Sequence, residues 1–387
     1  MKVPTKRKIL FMTATRADFG KLKSLMKAVT ESEEFECSIF ATGMHMLARY
    51  GSTINEIYKS GFHNVHPYIN QDGSVNSQMD LVLANTVSGL GLYIRESTPD
   101  LLVVHGDRAE ALAGAIVGAL NNIRVAHIEG GEVSGTVDEV LRHAVTKLSH
   151  VHFVANEEAA TRLRQMGEAS NSIFVIGSPD TDIMFSDALP TLEEVKSRYE
   201  IPFDSYGIVL YHPVTTELEH ARRDAGELVS ALLDCGMNFV VIHPNNDHGA
   251  EAILQEMERI RGLTRFRFMP SMRFEHFLVL MKNAFAMVGN SSAGIREAPS
   301  YGVPTVNIGT RQNRRFHCDS IVNVDQNREA ILCALTNLPR GFAPIHHFGR
   351  GNCGPAFLSV LRDEGIWTLA TQKLFNDVSG LVSSSTG

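Results

Sequence analysis

HGDRAEALAGAIVGALNNIRVAHIEGGEVSGTVDEVLRH, residues His105 to His143, is the stretch on which the fold turns. Two short apolar runs, Leu101–Val104 and Arg124–Ile128, are each bounded by turn chemistry. Each run leads into ionisable residues: His105, Gly106, Asp107 and Arg108 after the first, and His127, Glu129, Gly130, Gly131 and Glu132 around the end of the second. Between them Glu110–Asn121 is rich in Ala, Leu and Gly at helical spacing. Strand, helix and strand make a βαβ unit, because strands buried on both faces of a parallel sheet read as continuous apolar runs. In open α/β sheets the ligand lies beyond the carboxyl ends of the strands, which is where these charged residues fall.

The same grammar extends outward. Lys8–Ala14 is a first strand ending in Thr15-Arg16-Ala17-Asp18-Phe19-Gly20, and Lys21–Thr30 follows with helical spacing. Phe35–Ala41 is a second strand leading into Thr42-Gly43-Met44-His45-Met46, after which a helix is expected to Arg49. Asn76–Ser97 reads as a long helix, Gly135–Lys147 as another, and Val151–Ala155 and Ile173–Ile176 as further strands. Strands alternating with helices in this way predict a doubly wound domain. The turn-rich Gly177-Ser178-Pro179-Asp180 precedes a break, after which the alternation restarts with strands at Tyr206–Tyr211, Phe239–Ile242, Phe285–Val288 and Val303–Ile308. The division expected is a first Rossmann-like domain over 1–180, a second over 181–360, and a helical tail over 361–387 that packs back towards the first. Facing strand ends imply a cleft between the two.

With 387 residues there is chain enough for two cores. A net charge of −7 excludes the broad positive field of a nucleic-acid binder, so an anionic ligand must be met by a local pocket. The five cysteines are scattered, odd in number and never in a CxxC pair, as expected of reduced thiols in a cytoplasmic protein. No apolar run reaches membrane-spanning length, and Ile9–Met12 is too short for a signal sequence.

Several residues at strand ends have both a functional and an ordinary reading. Gly289–Glu297 aims loop N–H groups and the hydroxyls of Ser291 and Ser292 at an anion, although a serine there also simply caps a helix. Glu297 is placed to accept from ribose hydroxyls, or is a solvated helix residue. Arg16 and Arg311 are cations suited to a diphosphate, or surface arginines. His212 precedes a Thr-Thr-Glu cluster. Asp107, Glu129 and Asp138 are read as acid/base groups, against helix capping, a turn and first-turn dipole pairing. The patterns His105-x-Asp107 and His127-x-Glu129 also admit a metal-dependent hydrolase.

Taken together the chain resembles the UDP-N-acetylglucosamine 2-epimerases, in particular the hydrolysing branch of bacterial sialic acid biosynthesis. The resemblance rests on Thr15–Asp18, Gly43-Met44-His45, His105–Arg108, His127–Glu132, Gly135–Asp138 with Arg142-His143, His212–Thr216, Pro244–Asp247, Gly289–Glu297 and Gly309-Thr310-Arg311. Arg16-Ala17-Asp18 and the Glu129–Glu132 turn look like that branch; non-hydrolysing relatives typically have Arg-Pro-Glu and Glu-Ala-Gly. The resemblance implies a GT-B architecture and an enzyme that converts UDP-N-acetylglucosamine and water to N-acetylmannosamine and UDP. The implied route is elimination to 2-acetamidoglucal followed by hydration, with no metal or redox cofactor.

Carried over residue by residue, the resemblance implies catalytic roles for Asp107, Glu129, Asp138, His212, Arg142 and His45. It implies substrate or UDP contacts for Arg16, Gly20, Arg108, His212, Asn245, Met272, Ser291, Ser292, Glu297 and Arg311. Gly20 stands where several relatives have Ser, so a backbone N–H is expected to serve there. Related hydrolysing epimerases act on diacetamido-trideoxy sugars carried on UDP or GDP, which leaves nucleotide and sugar open. A homodimer or homotetramer is expected, and no nucleic-acid or membrane partner. Vertebrate relatives carry a fused kinase domain, which is not expected in this chain.

Overall fold

The computed structural model of the chain describes residues 6–72, 79–134, 137–214, 217–244, 249–374 and 376–377. They form two units, one running to Phe185 and resuming at Phe348, the other spanning Ser186–His347.

The sheet of the first unit contains β1 (Arg7–Thr13), β2 (Phe35–Ala41), β3 (Val65–Pro67), β4 (Leu101–His105), β5 (Arg124–Ile128), β6 (Val151–Val154) and β7 (Ile173–Val175). Their order is β3-β2-β1-β4-β5-β6-β7, every pair parallel. The helices are α1 (Arg16–Thr30), α2 (Ile54–Lys59), α3 (Met79–Ser97), α4 (Ala109–Leu120), α5 (Val137–Leu148), α6 (Glu157–Gln165) and α7 (Asp180–Met184). The helix expected after Met46 is only a short 3₁₀ turn, Ala48–Tyr50, and another 3₁₀ turn, Gly43–Met46, precedes it. Leu101–Val104 is fully buried, as its unbroken apolar run requires. The strand order reverses between β1 and β4, which makes that junction the topological switch point where ligands bind in such sheets.

Packing explains the Ala/Gly composition of α4. A Cβ at Gly114 would lie 2.6 Å from Val104 Cγ1, and one at Gly118 2.3 Å from Val125 Cγ2. Only bare backbone lets the helix lie this close to β4 and β5. The opposite face is filled by Phe19, Leu22, Leu25, Met26 and Val29 of α1.

The second unit repeats the plan with β8 (Gly207–Leu210), β9 (Phe239–Ile242), β10 (Phe266–Met269), β11 (Met287–Gly289), β12 (Thr305–Ile308) and β13 (Ile321–Val324), ordered β10-β9-β8-β11-β12-β13 and again all parallel. Its helices are α8 (Leu192–Tyr199), α9 (Ala221–Asp234), α10 (Ala250–Met257), α11 (Phe274–Lys282), α12 (Ala293–Arg296) and α13 (Arg328–Thr336). The switch point lies between β8 and β11.

The short strands β3, β10 and β13 carry no sequence expectation. Each lies at a sheet edge or next to nothing beyond it, and edge strands need little apolar patterning. The return to the first unit begins at Phe348, ahead of the boundary expected at 361. Cys353, Phe357 and Leu361 of α14 (Cys353–Arg362) and Ile366 of α15 (Glu364–Thr368) enter its core, which sets that boundary. The Arg124 guanidinium then holds the carbonyls of Trp367 and Leu369, and Lys373 reaches Glu168 at 2.6 Å.

Candidate active site

At the switch point of the first unit the exit of β1 turns directly into α1. Thr15 is the N-cap, its Oγ1 accepting from Asp18 N at 3.1 Å. The helix therefore starts at Arg16 and places Asp18 and Lys21 on the face over the strand ends. Helix starts leave only their first four N–H groups free, and Gly20 lies past them. The backbone donor expected of Gly20 thus belongs to the helix ladder. Arg16 pairs with Glu56 of α2 at 2.9 Å, both about two-fifths exposed.

β4 and β5 are in register, with His105 opposite Ile128, so Asp107 and Glu129 follow neighbouring strand ends. Glu129 is buried and adopts φ 63°, left-handed backbone that a branchless turn residue tolerates but a glutamate rarely takes. Its carboxylate is surrounded by donors. Lys21 Nζ lies 3.0 and 3.3 Å from its two oxygens, His105 Nε2 3.2 Å from Oε2, and the Ser178 hydroxyl donates to Oε1. Lys21 also reaches Asp180 at 3.3 Å, and His105 Nδ1 lies 3.3 Å from Asp18 Oδ1. Burial alone would push the His105 pKa down. The flanking Asp18 and Glu129 carboxylates override it and raise the ring to about 9. Burial would raise Asp18, but the hydrogen bond and charge of His105, with the charge of Arg108, hold it below the usual carboxylate range.

Asp107 is held by the guanidinium of Arg142, a buried side chain that also donates to Glu132 O at 3.2 Å. Arg142 reaches out from α5, whose first turn carries the half-buried Asp138. Arg108 pairs with the buried Glu110 at 3.3 Å. The structure therefore brings Asp107, Glu129, Arg142 and Arg108 to one sheet edge. Gly135 and Thr136 of the same motif lie outside the described residues.

His45 does not join them. Its ring is fully buried, with Nε2 against Thr13 Oγ1 at 3.0 Å and Nδ1 against Thr53 Oγ1 at 2.8 Å. Burial holds it neutral, down to about 4. The 3₁₀ turn at Gly43–Met46 folds the ring under the end of β1. The four residues of the metal reading do not converge either. His127 is fully buried, its Nε2 donating to Gly106 O at 2.8 Å and its Nδ1 meeting Thr146 Oγ1 at 3.0 Å, while Asp107 and Glu129 are taken by cations. Among the described residues no group of three or more His, Cys, Asp and Glu is arranged to hold a metal ion.

In the second unit the expected anion loop sits at the switch point. Gly289 has φ 134°, and a Cβ there would meet Leu210 O at 2.2 Å, so β11 can pass β8 only with glycine. Asn290 is fully buried and zips the two strand exits together: its Oδ1 accepts from His212 N at 2.7 Å and its Nδ2 donates to His212 O at 2.8 Å. Its carbonyl takes Arg311 Nη1 at 3.1 Å and Gln312 Nε2 at 2.8 Å. His212, Ser291 and Arg311 are thereby fixed around one residue.

The helix expected after the Gly289–Gly294 loop, carrying Glu297, is only the single turn α12, because Glu297-Ala298-Pro299 breaks into a 3₁₀ turn. Ser291 Oγ accepts from Ala293 N at 3.3 Å, Ser292 makes no side-chain cap, and Glu297 is buried. Met272, between β10 and α11, packs partly buried on the core. Asn245, Thr215 and Thr216 lie outside the described residues.

Sequence reasoning passed over Lys21, Ser178, Asp180 and Asn290, and gave His105 only a metal-ligand role. Lys21 lies one turn after Asp18, a spacing that was readable. Ser178 and Asp180 read only as turn residues, and no local signal marks them.

A family model described as UDP-N-acetylglucosamine 2-epimerase matches residues 27–362. The UDP-N-acetylglucosamine 2-epimerase of Neisseria meningitidis serogroup B is 45% identical over 378 residues, 96% of this chain and 100% of that protein. The hydrolysing UDP-N,N'-diacetylbacillosamine 2-epimerase of Legionella pneumophila is 36% identical, covering 85% and 88%. The polysialic acid biosynthesis protein P7 of Escherichia coli is 32% identical, covering 84% of each. In fold the chain matches the crystal structure of a Neisseria meningitidis UDP-GlcNAc 2-epimerase bound to UDP-GlcNAc, with a TM-score of 0.77 at 18% identity over 92% of this chain and 99% of that one. The two parallel α/β units are those of the GT-B architecture.

Proposed function

The chain belongs to the UDP-N-acetylglucosamine 2-epimerase family, and from that premise we propose that it is a hydrolysing 2-epimerase making N-acetylmannosamine and UDP for sialic acid synthesis. The observation that carries this reading is the pairing of Asp107 and Glu129 at the ends of two neighbouring strands. Each has its own cationic partner, and Asp138 follows in the first turn of α5. A mere nucleotide-sugar binder has no use for three carboxylates there.

The chemistry asks for such an arrangement. A carboxylate removes the weakly acidic C2 proton while UDP departs from C1, giving 2-acetamidoglucal. Water then adds at C1 and a proton returns to the opposite face of C2. Proton movements on opposite faces need more than one acid/base group, which Asp107, Glu129 and Asp138 supply. Departure of the diphosphate needs fixed positive charge and donors. Arg311, His212 and the Ser291-Ser292 loop, all organised around Asn290, fill that role, with Arg16 and Arg108 as further cations. Glu297 serves the ribose, and Met272 and Asn245 the nucleotide.

The sugar assigned follows the Neisseria relative at 45% identity in preference to the diacetylbacillosamine enzyme at 36%. The protein is expected to act in the cytoplasm, as suits five free cysteines, and as a homodimer or homotetramer. Exposed Met79, Leu81 and Leu92 on α3, with Val137 and Val140 on α5, support an apolar contact with a second copy. No helix among the described residues is long and apolar enough to cross a membrane.

Proton NMR of the purified protein with UDP-N-acetylglucosamine in D₂O containing EDTA tests the reading. UDP and free N-acetylmannosamine deuterated at C2 are expected. UDP-N-acetylmannosamine would move the protein to non-hydrolysing epimerisation, and loss of activity in EDTA would restore the metal reading. An intact substrate, with turnover of a diacetamido nucleotide sugar, would change the sugar.

A further inference from the structure

Buried histidines in the first unit sort by the chemistry of their partners. A neutral imidazole has one donor and one acceptor nitrogen, whereas an imidazolium has two donors. His45 lies between two hydroxyls, each able to give or take. His127 lies between a carbonyl and a hydroxyl. His150 accepts from Val125 N and meets Thr371 O. His152 contacts one carboxylate oxygen, of Glu168, through Nε2. All four sets of partners suit a neutral ring, His152 Nδ1 making no hydrogen bond. His105 alone of these five stands between two carboxylates, and only 9% of its side chain is exposed. Carboxylates accept only, so both ring nitrogens must donate.

We infer that His105 is a positioning residue, an imidazolium fixed between Asp18 and Glu129 that, with Lys21, keeps the Glu129 carboxylate ionised and aimed for proton transfer. This rests on the epimerase reading and deepens it. Every element around the ring contributes. From α1 come Asp18 and Lys21, and from the end of β5 comes Glu129. The segment entering α7 brings Ser178 and Asp180, and the chain after β4 brings Asp107 and Arg108. His127 and His45 nearby are uncharged. Lys21 and Ser178 occupy Glu129 Oε1, and Lys21 and His105 occupy Oε2. A carboxylate so surrounded by donors strongly resists protonation. Glu129 thus enters the cycle as a base, and the first proton donated to the sugar comes from another group. The left-handed backbone at Glu129 is held by the same contacts.

Two measurements on the full chain test this. In ¹³C-histidine-labelled protein the Cε1 signal lost on His105→Asn should report a protonated ring up to pH 8 and above. Glu129→Gln or Asp18→Asn should lower the proton affinity of that ring about tenfold or more. A ring that titrates as an ordinary histidine, or ignores both variants, overturns the inference whatever the enzyme's substrate. In the pH profile of turnover, His105→Asn should move the acid limb upward, because Glu129 loses a cation and binds protons more tightly. Lys21→Met should move the limb in the same direction, and serves if His105→Asn fails to fold. Lower turnover with unmoved limbs in both variants overturns the role. A protonated ring in a protein that converts no nucleotide sugar would sink the epimerase reading instead.

Discussion

Glu129 combines a strained backbone, a buried carboxylate and donors from three distant segments. Removing one partner of such a group leaves an uncompensated charge, which costs more than the pair contributes. Asp107→Asn, Glu129→Gln and Asp138→Asn are each expected to cut turnover about a hundredfold or more with UDP binding retained. Calorimetry beside a sugar-release assay checks this, and a variant with near-normal turnover loses its acid/base role. His105 also leaves a signature on stability. Its folded pKa of about 9 lies above the ordinary 6.5, so its contribution is complete below 6.5 and lost as pH rises through 9. The whole effect is of the order of 3 kcal/mol. Thermal melts of the wild type should therefore fall between those limits, and His105→Asn should lack that fall. A variant that keeps the same slope would assign it elsewhere. Asp18 works in the opposite window: its lowered pKa contributes above the ordinary carboxylate range and is lost in acid.

At the scale of elements, two glycines quoted together in site motifs have opposite meanings. Gly289 sits where β11 passes β8, with a backbone conformation and a neighbour, Leu210 O at 2.2 Å, that refuse any side chain. Gly289→Ala should destabilise the second unit by about 3 kcal/mol or more and abolish UDP binding. Gly20 lies inside α1 with nothing within 4 Å of a Cβ. Gly20→Ala should raise the melting temperature slightly, by up to about 1 kcal/mol of helix propensity, and leave UDP affinity unchanged. A drop in affinity would return Gly20 to the phosphate site. The strand-helix alternation that locates both glycines was readable from apolar runs. The single turn of α12 was not, because Glu297-Ala298-Pro299 breaks a pattern that looks helical until the proline.

For the whole molecule, the same doubly wound order occurs in both units, and in each the residues around the candidate site fall at the switch point. The proposed homo-oligomer makes a prediction on the outer surface of the first unit. α4 packs against both α3 and α5, and those two helices leave Leu81, Leu92, Val137 and Val140 more than half exposed. Isolated exposed apolar residues are ordinary, but four on the two helices that flank α4 support the proposed contact with a second copy. Leu92→Glu/Val140→Glu is expected to convert a homo-oligomer to monomer in analytical ultracentrifugation, with the fold retained by circular dichroism. Unchanged sedimentation would move the contact to another face.

What the sequence determined by itself was the plan: parallel strands, the edge at which chemistry collects, and the carboxylates on it. That information is local, because a buried parallel strand must be a continuous apolar run and its end must be a turn. Tertiary structure alone decided which polar groups meet. His45, His105 and His127 all follow or end strands and look alike in the sequence, yet one is sealed between hydroxyls, one fixed between carboxylates and one bonded to a carbonyl. Ser178 and Asp180 reach the site from a turn that looked like a domain junction. A residue's charge state and partners depend on what distant segments bring within about 3 Å once the core closes, and no periodicity along the chain records that.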